Sequence, residues 1–308
     1  MSDAAAATRA RPGGNLEGAL FMMASMLGFV CNDTLIKTLA GEMPLFQAIF
    51  LRGLAATALL AGLAAAQGAL VHRVAAEDRP RLGLRITAEV GATLCFLTAL
   101  FHMPIANATA ILMVLPLAVT LAAAWFLGEP VGWRRYSAIL VGFLGVLVIV
   151  RPGGAGFNAF ALLALAAVGF LVLRDLITRR FSHGMPSVFA ALATSIAITA
   201  VGGGLALATG WVQPTTAHLV TLAAAAGCLV VGYVFGVMTM RVGEVGFVSP
   251  FRYTVLIWAI ILGALVFDEF PDAFTLAGSA VVVGTGLYTL HREQRARRPA
   301  ATGEGAAS

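Results

Sequence analysis

Residues 28–44 are GFVCNDTLIKTLAGEMP, an apolar run that contains polar and charged side chains. A second run, GFLVLRDLITRRFSHGMP at residues 169–186, has the same order of an acid, a base four residues later and a Met-Pro pair. One offset of 142 residues relates Asp33 to Asp175 and Lys37 to Arg179. Recurrence at a fixed offset indicates an internal repeat. The sequence therefore predicts two copies of one unit.

The composition is that of a membrane protein. Hydrophobic residues make up 59% of the 308 residues and charged residues 11%, whereas a soluble domain has about 25% charged residues. The net charge of +5 would also fit a nucleic-acid partner. The basic residues, however, form short clusters between apolar runs, which is typical of membrane topology. We therefore expect the protein to lie in the lipid bilayer and to bind no nucleic acid.

Ten apolar runs are long enough to cross a bilayer, which requires about 20 residues each. Gly and Pro residues separate them, and the short loops make neighbouring helices antiparallel. We predict an all-α integral membrane protein with ten transmembrane helices, at residues 17–39, 44–66, 84–103, 105–127, 133–151, 158–179, 186–209, 215–239, 245–267 and 273–291.

The repeat extends to the fourth helix of each half. Residues 104–130 correspond to residues 244–271, and Glu129 corresponds to Glu269 at an offset of 140, each acid closing a long apolar helix. Five spans is an odd number, so the second copy enters the bilayer from the opposite side. Inverted repeats with a substrate site near the midplane are a recurrent transporter architecture. We expect repeats at 17–151 and 158–291, and tails at 1–16 and 292–308.

The basic residues also predict the orientation. They concentrate at one set of helix ends, where they include Arg73, Arg79, Arg134, Arg180 and Arg241. The positive-inside rule then places both termini in the cytoplasm of a bacterial inner-membrane protein.

The tail at 292–308 is basic and then rich in Ala and Gly, and it is expected to be disordered.

No cofactor or metal is expected. Cys31, Cys95 and Cys228 lie inside apolar runs and are odd in number, so they are interpreted as small core residues and not as disulfides or metal ligands.

In their order and repetition, these features resemble the ten-helix members of the drug/metabolite transporter superfamily, which have two EamA-type repeats. Each repeat of that family begins with an apolar helix carrying a Gly and then small or polar residues, as Gly28–Lys37 does here. An Arg in the second helix corresponds to Arg52. Each fourth helix ends in Gly-Glu or a variant, here Gly128-Glu129 and Asp268-Glu269.

A Gly-spaced final helix follows in each repeat, here with Gly142 and Gly145, and with Gly278, Gly284 and Gly286. The usual Trp-Gly of the first helix is replaced by Leu27-Gly28 and Val168-Gly169. The resemblance implies transport of a small-molecule substrate by alternating access. It names no substrate, because the family handles amino acids, sugars, nucleotide-linked metabolites and drugs.

Charged residues inside the hydrocarbon region usually face a cavity or a partner. Asp33 and Lys37 lie four residues apart on one helix face. Either they pair with each other near the outer membrane surface, or they line the cavity and meet the charged ends of a zwitterionic solute. Asn32 would then supply a further hydrogen bond.

Two arginines lie about eight residues inside their spans and need an acceptor there. Arg52 either pairs with Asp33 or contacts the substrate. Arg252 follows Pro250, which can kink the helix, and a position in the cavity is favoured for it. Tyr253, Asn107 and Tyr233 complete the candidate substrate-binding set.

Other charged groups are interpreted structurally. Glu129 and Glu269 are expected to bind neighbouring N–H groups or basic residues. Asp175 is expected to form a cytoplasmic ion-pair cluster with Arg174, Arg179 and Arg180. Glu89 either reaches water or carries a proton.

The leading hypothesis is a secondary transporter, with amino acids as the best single guess and export as the expected direction. The alternatives are a larger metabolite such as S-adenosylmethionine, or drug-like cations. The only lysine, Lys37, follows Ile36 and not a glycine, so no phosphate-binding loop of the Walker type is present. An integral membrane enzyme and a channel are the rival classes. The glycine spacings of spans five and ten fit either homodimer contacts or packing within one chain.

Overall fold

The computed structural model describes residues 14–129, 131–154, 157–182 and 184–297. Ten helical spans, each long and apolar enough to cross a membrane, are present within these residues. The helices are Gly14–Lys37 (span 1), Leu45–Ala66 (span 2), Asp78–His102 (span 3), Ile105–Leu112 and Leu115–Leu127 (span 4), Trp133–Val150 (span 5), Phe160–Thr178 (span 6), Ser187–Thr209 (span 7), Thr216–Val242 (span 8), Val245–Val248, Ser249–Tyr253 and Thr254–Phe267 (span 9), and Ala273–Arg297 (span 10). The all-α, ten-helix prediction is confirmed.

Spans 4 and 9, the fourth of each half, are both interrupted. In span 4 the break precedes Pro116, at the start of the second helix. In span 9 the segment Ser249–Tyr253 is a 3₁₀ helix with Pro250 near its start. Proline has no N–H to donate to the preceding turn, so the regular α-helical bonding stops there. The α-helix is thus interrupted at Pro250, where the sequence predicted a kink.

Two boundaries differ from the prediction by more than three residues. Span 3 begins at Asp78 and not at 84, because its first turns are polar and continue the helix beyond the apolar run. Span 10 continues to Arg297, so residues 292–297 are helical and not disordered. These residues are Arg, Glu, Gln and Ala, which are good helix formers. Residues 1–13 and 298–308 of the predicted tails lie outside the described residues.

Each large helix interface joins a span of the first half to a span of the second. Span 1 packs on span 8, span 2 on span 7, span 3 on span 6 and span 5 on span 10. Exchanging the two halves maps the 1–8 interface onto the 6–3 interface and maps the other two onto themselves. This pattern is consistent with an inverted repeat whose halves interlock.

Glycines allow two of these interfaces to form. A Cβ added to Gly28 in span 1 would lie 2.9 Å from the carbonyl oxygen of Cys228 in span 8. A Cβ added to Gly278 in span 10 would lie 2.5 Å from the carbonyl oxygen of Gly145 in span 5. Small residues let helix backbones approach closely in a membrane. Gly145 and Gly278 therefore serve packing within the chain.

Candidate substrate site

The ends of the bundle are named here by the termini. The terminal side is where span 1 begins and span 10 ends, and the far side is the opposite end. Spans 1 and 9 run parallel, because Gly18 lies against Val248 near the terminal side and Lys37 contacts Glu269 at the far side. Depths along these two spans can therefore be compared directly.

Lys37 is paired at the far side. Its Nζ donates to both carboxylate oxygens of Glu269, at 2.6 and 2.7 Å, and to the carbonyl of Met103, at 2.9 Å. Glu269 Oε2 also accepts the backbone N–H of Ile105, at 3.1 Å. The alternative that Lys37 pairs with Asp33 is wrong in this structure, because the partner of Lys37 is Glu269, just after the end of span 9. The expectation that Glu269 binds a base and an N–H group is confirmed.

Asn32, Asp33 and Arg52 form a cluster in the far half. Asn32 Nδ2 donates to Asp33 at 2.9 Å, and Arg52 Nη1 donates to Asn32 Oδ1 at 3.1 Å. Arg52 and Asp33 interact electrostatically, but Asn32 lies between them, so the expected direct pair is replaced by a bridge. In the described part of the chain, no basic nitrogen lies within 4 Å of the Asp33 carboxylate. The buried Arg52 Nε is also unpaired there.

A second charged cluster lies nearer the terminal side, between spans 3 and 6. Arg174 donates to Glu89 at 3.1 Å and contacts Asp175 at 2.8 Å. Arg85 donates to the hydroxyls of Thr178, at 3.1 Å, and Thr194, at 2.6 Å. Glu89 is therefore paired within the bundle and does not simply reach water.

The expected cluster around Asp175 forms only in part. Arg174 joins it, but Arg179 pairs with Glu129 at 3.2 Å, and Arg180 donates to the carbonyl of Phe126 at 3.5 Å. The structural role expected for Glu129 is confirmed.

Arg252 is an interior arginine that solvent reaches. Its side chain is exposed to a water-sized probe, yet protein atoms surround it closely, and it interacts electrostatically with Asp175 and Arg174. Both observations are satisfied if Arg252 faces a water-accessible space inside the bundle. No group that the structure describes forms a hydrogen bond or ion pair with its guanidinium.

The remaining predicted residues are dispersed. Tyr233 lies beside Arg85 in the second cluster. Tyr253 is buried, and its hydroxyl packs on Gly286 of span 10, where an added Cβ would lie 1.8 Å away. Asn107 begins span 4 near the far side, with a buried and unpaired Oδ1. Of the predicted set, the structure thus brings Asn32, Asp33 and Arg52 together and places Arg252 apart from them.

Sequence analysis missed the pairing of Glu89 with Arg174 and the role of Arg85. Arg85 and Glu89 lie four residues apart on one face of span 3. This spacing is the signal in the sequence, although Arg85 lies at the predicted start of span 3, where basic residues also report membrane topology. No group of three His, Cys, Asp or Glu side chains that could hold a metal ion lies within the described residues.

Comparison with known proteins agrees with this architecture. Residues 16–151 match the model of the EamA-like transporter family. The chain contains an EamA-like transporter domain. The resemblance to ten-helix EamA-type members of the drug/metabolite transporter superfamily is thereby confirmed. A crystal structure of another protein superposes on 91% of this chain and 99% of its own, with a TM-score of 0.66 and 20% identity, which shows the shared fold alone.

The curated relatives of this EamA-like chain are transporters. A S-adenosylmethionine uptake transporter of Rickettsia bellii is 31% identical over 63% of this chain, and the match spans 66% of that relative, just under two thirds. A riboflavin transporter of Rhizobium johnstonii is 29% identical over 67% of this chain and 68% of its own. The pseudopaline exporter CntI of Pseudomonas aeruginosa is 27% identical over 86% of this chain and 93% of its own.

These relatives and the ten apolar helices support a multi-pass protein of the bacterial inner membrane. They are transporters and not enzymes, which is consistent with the expectation that this chain is not an enzyme.

Proposed function

We propose that this protein is a secondary transporter that carries a small zwitterionic metabolite across the inner membrane by alternating access, with both termini in the cytoplasm. The observation that carries the proposal is a pair of interior charges without a direct ion-pair partner among the described residues, Asp33 in the far half and Arg252 in the terminal half. At such a depth in the membrane a carboxylate needs a cationic or hydrogen-bond-donating partner, and a guanidinium needs an anionic or accepting one. A solute with a cationic group and a carboxylate supplies both.

The depth between the two charges bears on the size of the solute. Asp33 lies 15 residues beyond Gly18, whereas Arg252 lies 4 residues beyond Val248, the residue level with Gly18. The difference is 15 − 4 = 11 residues, so at about 1.5 Å per residue the two backbones differ in depth by about 16 Å. An α-amino acid carries its ammonium and carboxylate on one carbon and cannot reach both ends. An elongated zwitterion can.

Amino acids remain the second candidate, and the far cluster supports them. Asp33 would bind the ammonium group, and the unpaired Arg52 Nε would bind the carboxylate. Asn32 would orient both. Lys37 would become available to a solute only when its contacts with Glu269 separate.

The relatives suggest which elongated solutes to test. S-adenosylmethionine carries a sulfonium cation and a carboxylate joined by a short carbon chain. Its charge types therefore suit Asp33 and Arg252, and the long Arg252 side chain would have to cover most of the depth between them. Riboflavin has neither a carboxylate nor a cation and would leave both residues unpaired. An unpaired buried charge is costly, so riboflavin is expected to be a poor substrate.

Counterflow into proteoliposomes tests the proposal. Vesicles are preloaded with unlabelled solute, and uptake of the same radiolabelled solute is measured for S-adenosylmethionine, riboflavin and a panel of amino acids. Saturable uptake of S-adenosylmethionine that unlabelled solute competes away would support an elongated zwitterion. Uptake of amino acids alone would favour the far cluster as the complete site. Absence of counterflow for every solute, with folded protein, would refute this substrate class.

The direction of transport is a separate part of the proposal. Export is expected, and efflux from loaded cells that exceeds that of cells without the protein is the corresponding measurement.

A further inference from the structure

Two ion pairs at opposite ends of the bundle are related by the sequence repeat. Lys37 corresponds to Arg179 at the offset of 142, and Glu269 corresponds to Glu129 at the offset of 140. The structure pairs Lys37 with Glu269 on the far side and Arg179 with Glu129 on the terminal side. In each case the base of one half's first span meets the acid after the other half's fourth span. We call these pairs the far latch and the terminal latch.

The two latches differ in geometry although their sequence positions correspond. In the far latch the closest N–O distance is 2.6 Å, and the side chains are only 8% and 26% exposed. Its lysine also binds Met103, and its glutamate binds the N–H of Ile105. In the terminal latch the distance is 3.2 Å, and both side chains are about half exposed, at 50% and 51%. One end of the bundle is therefore held more tightly than the other.

We propose that the far and terminal latches alternate, so that tightening one accompanies loosening of the other, and that this structure is the state closed on the far side. The inference rests on the proposed transport function. In an inverted repeat, exchanging the conformations of the two halves converts one state of the carrier into its opposite. The same exchange converts the geometry of Lys37–Glu269 into that of Arg179–Glu129.

A third ion pair provides a matched control. Arg151 pairs with Asp272, also on the far side and also between the two halves. It joins spans 5 and 10, which already pack closely through Gly145 and Gly278. Because this interface is continuous along the glycines, we infer that it stays together in both states. Removing the Asp272 charge should therefore leave the balance between the states unchanged.

Distances between pairs of spin labels measure the ratio of far-open to far-closed molecules without substrate. The result therefore does not depend on which solute is transported. The far side is measured with labels at Thr38→Cys and Phe270→Cys, since both residues are exposed. The terminal side is measured at Gly132→Cys and Gly184→Cys, where an added Cβ meets no atom within 4 Å. The native cysteines are replaced by alanine in every variant, at positions Cys31, Cys95 and Cys228.

Each latch is released by an isosteric change that removes only the charge. Glu269→Gln should raise the ratio of far-open to far-closed molecules about tenfold, within the usual range of coupling between sites. Glu129→Gln should lower the same ratio. The double variant should return toward the parent, because the two losses oppose each other. Asp272→Asn should leave the ratio where it was.

Other outcomes would overturn the proposal. If Glu269→Gln and Glu129→Gln moved the far-side distances in the same direction, or if Asp272→Asn moved them as much as Glu269→Gln, the latches would be ordinary structural ion pairs. A variant that failed to remain monodisperse in detergent would be replaced by its aspartate counterpart, Glu269→Asp or Glu129→Asp, which keeps the charge and lengthens the pair. Absence of counterflow with alternating distances would refute the transport proposal alone.

Discussion

Arg174 in span 6 and Glu89 in span 3 form a salt bridge of 3.1 Å within the bundle, with only 22% and 21% of their side chains exposed. Asp175 contacts the same guanidinium. The bridge lies in the interface between a span of the first half and a span of the second. It therefore connects the two halves in the terminal half of the bundle.

Removing both partners of this bridge together should cost less than the sum of the two single losses. Glu89→Gln leaves Arg174 with Asp175 alone, and Arg174→Gln leaves two carboxylates close together. A paired charge that loses its partner in a poorly solvated place costs about 3 kcal/mol, and partial exposure reduces this figure. Thermal unfolding in detergent should show the largest loss for Arg174→Gln. The double variant should lose less than the sum of the two single losses, and strict additivity would show that the groups do not interact.

Arg252 should be required for transport and not for folding. Arg252→Ala should lower kcat/KM about 30-fold or more, as is typical when one partner of a desolvated charge pair is removed. Arg252→Lys should be intermediate, because lysine keeps the charge but lacks the planar fork of the guanidinium. Arg241→Ala is the control, since Arg241 is exposed at the end of span 8. Equal counterflow by Arg252→Ala and the parent would remove Arg252 from the site.

Part of this arrangement was predictable from the sequence. The fixed offsets predicted that Lys37 corresponds to Arg179 and Glu269 to Glu129, and apolar run lengths predicted the ten spans. The partners were not predictable in the same way. Spacing rules within a helix suggested Asp33 for Lys37, whereas the real partner is 232 residues away. Contacts between interlocking halves depend on how helices pack, which no local pattern encodes.

Gly286 should be required for the position of Tyr253. A Cβ at this residue would lie 1.8 Å from the Tyr253 hydroxyl, so Gly286→Ala must displace the ring that neighbours Arg252. Such overpacking costs about 1–3 kcal/mol, and we also expect slower transport. Gly284→Ala is the matched control in the same helix, because nothing lies within 4 Å of its added Cβ. It should be neutral or slightly stabilising. Unfolding temperatures and counterflow rates that ranked the two variants equally would contradict this packing.

The Arg151–Asp272 pair should make a pH-dependent contribution to stability. Asp272 lies between spans 9 and 10, and the hydrogen bond from Arg151 is the main cause that lowers the pKa of its carboxyl group, with a further bond from the Thr275 N–H. A lowered pKa in the folded state means that the contribution is complete above the ordinary value of about 3.9 and is lost as the pH falls through the lower, folded value. Asp272→Asn keeps a side chain that can cap span 10 but removes the charge. Because Asp272 is half exposed, the variant should lose at most about 1 kcal/mol at pH 7. Thermal unfolding should show that the stability difference between the parent and Asp272→Asn shrinks only below about pH 4. Asp268→Asn is the control for a nearby exposed charge. A stability difference that stayed constant to lower pH would show that the charged pair is not its source.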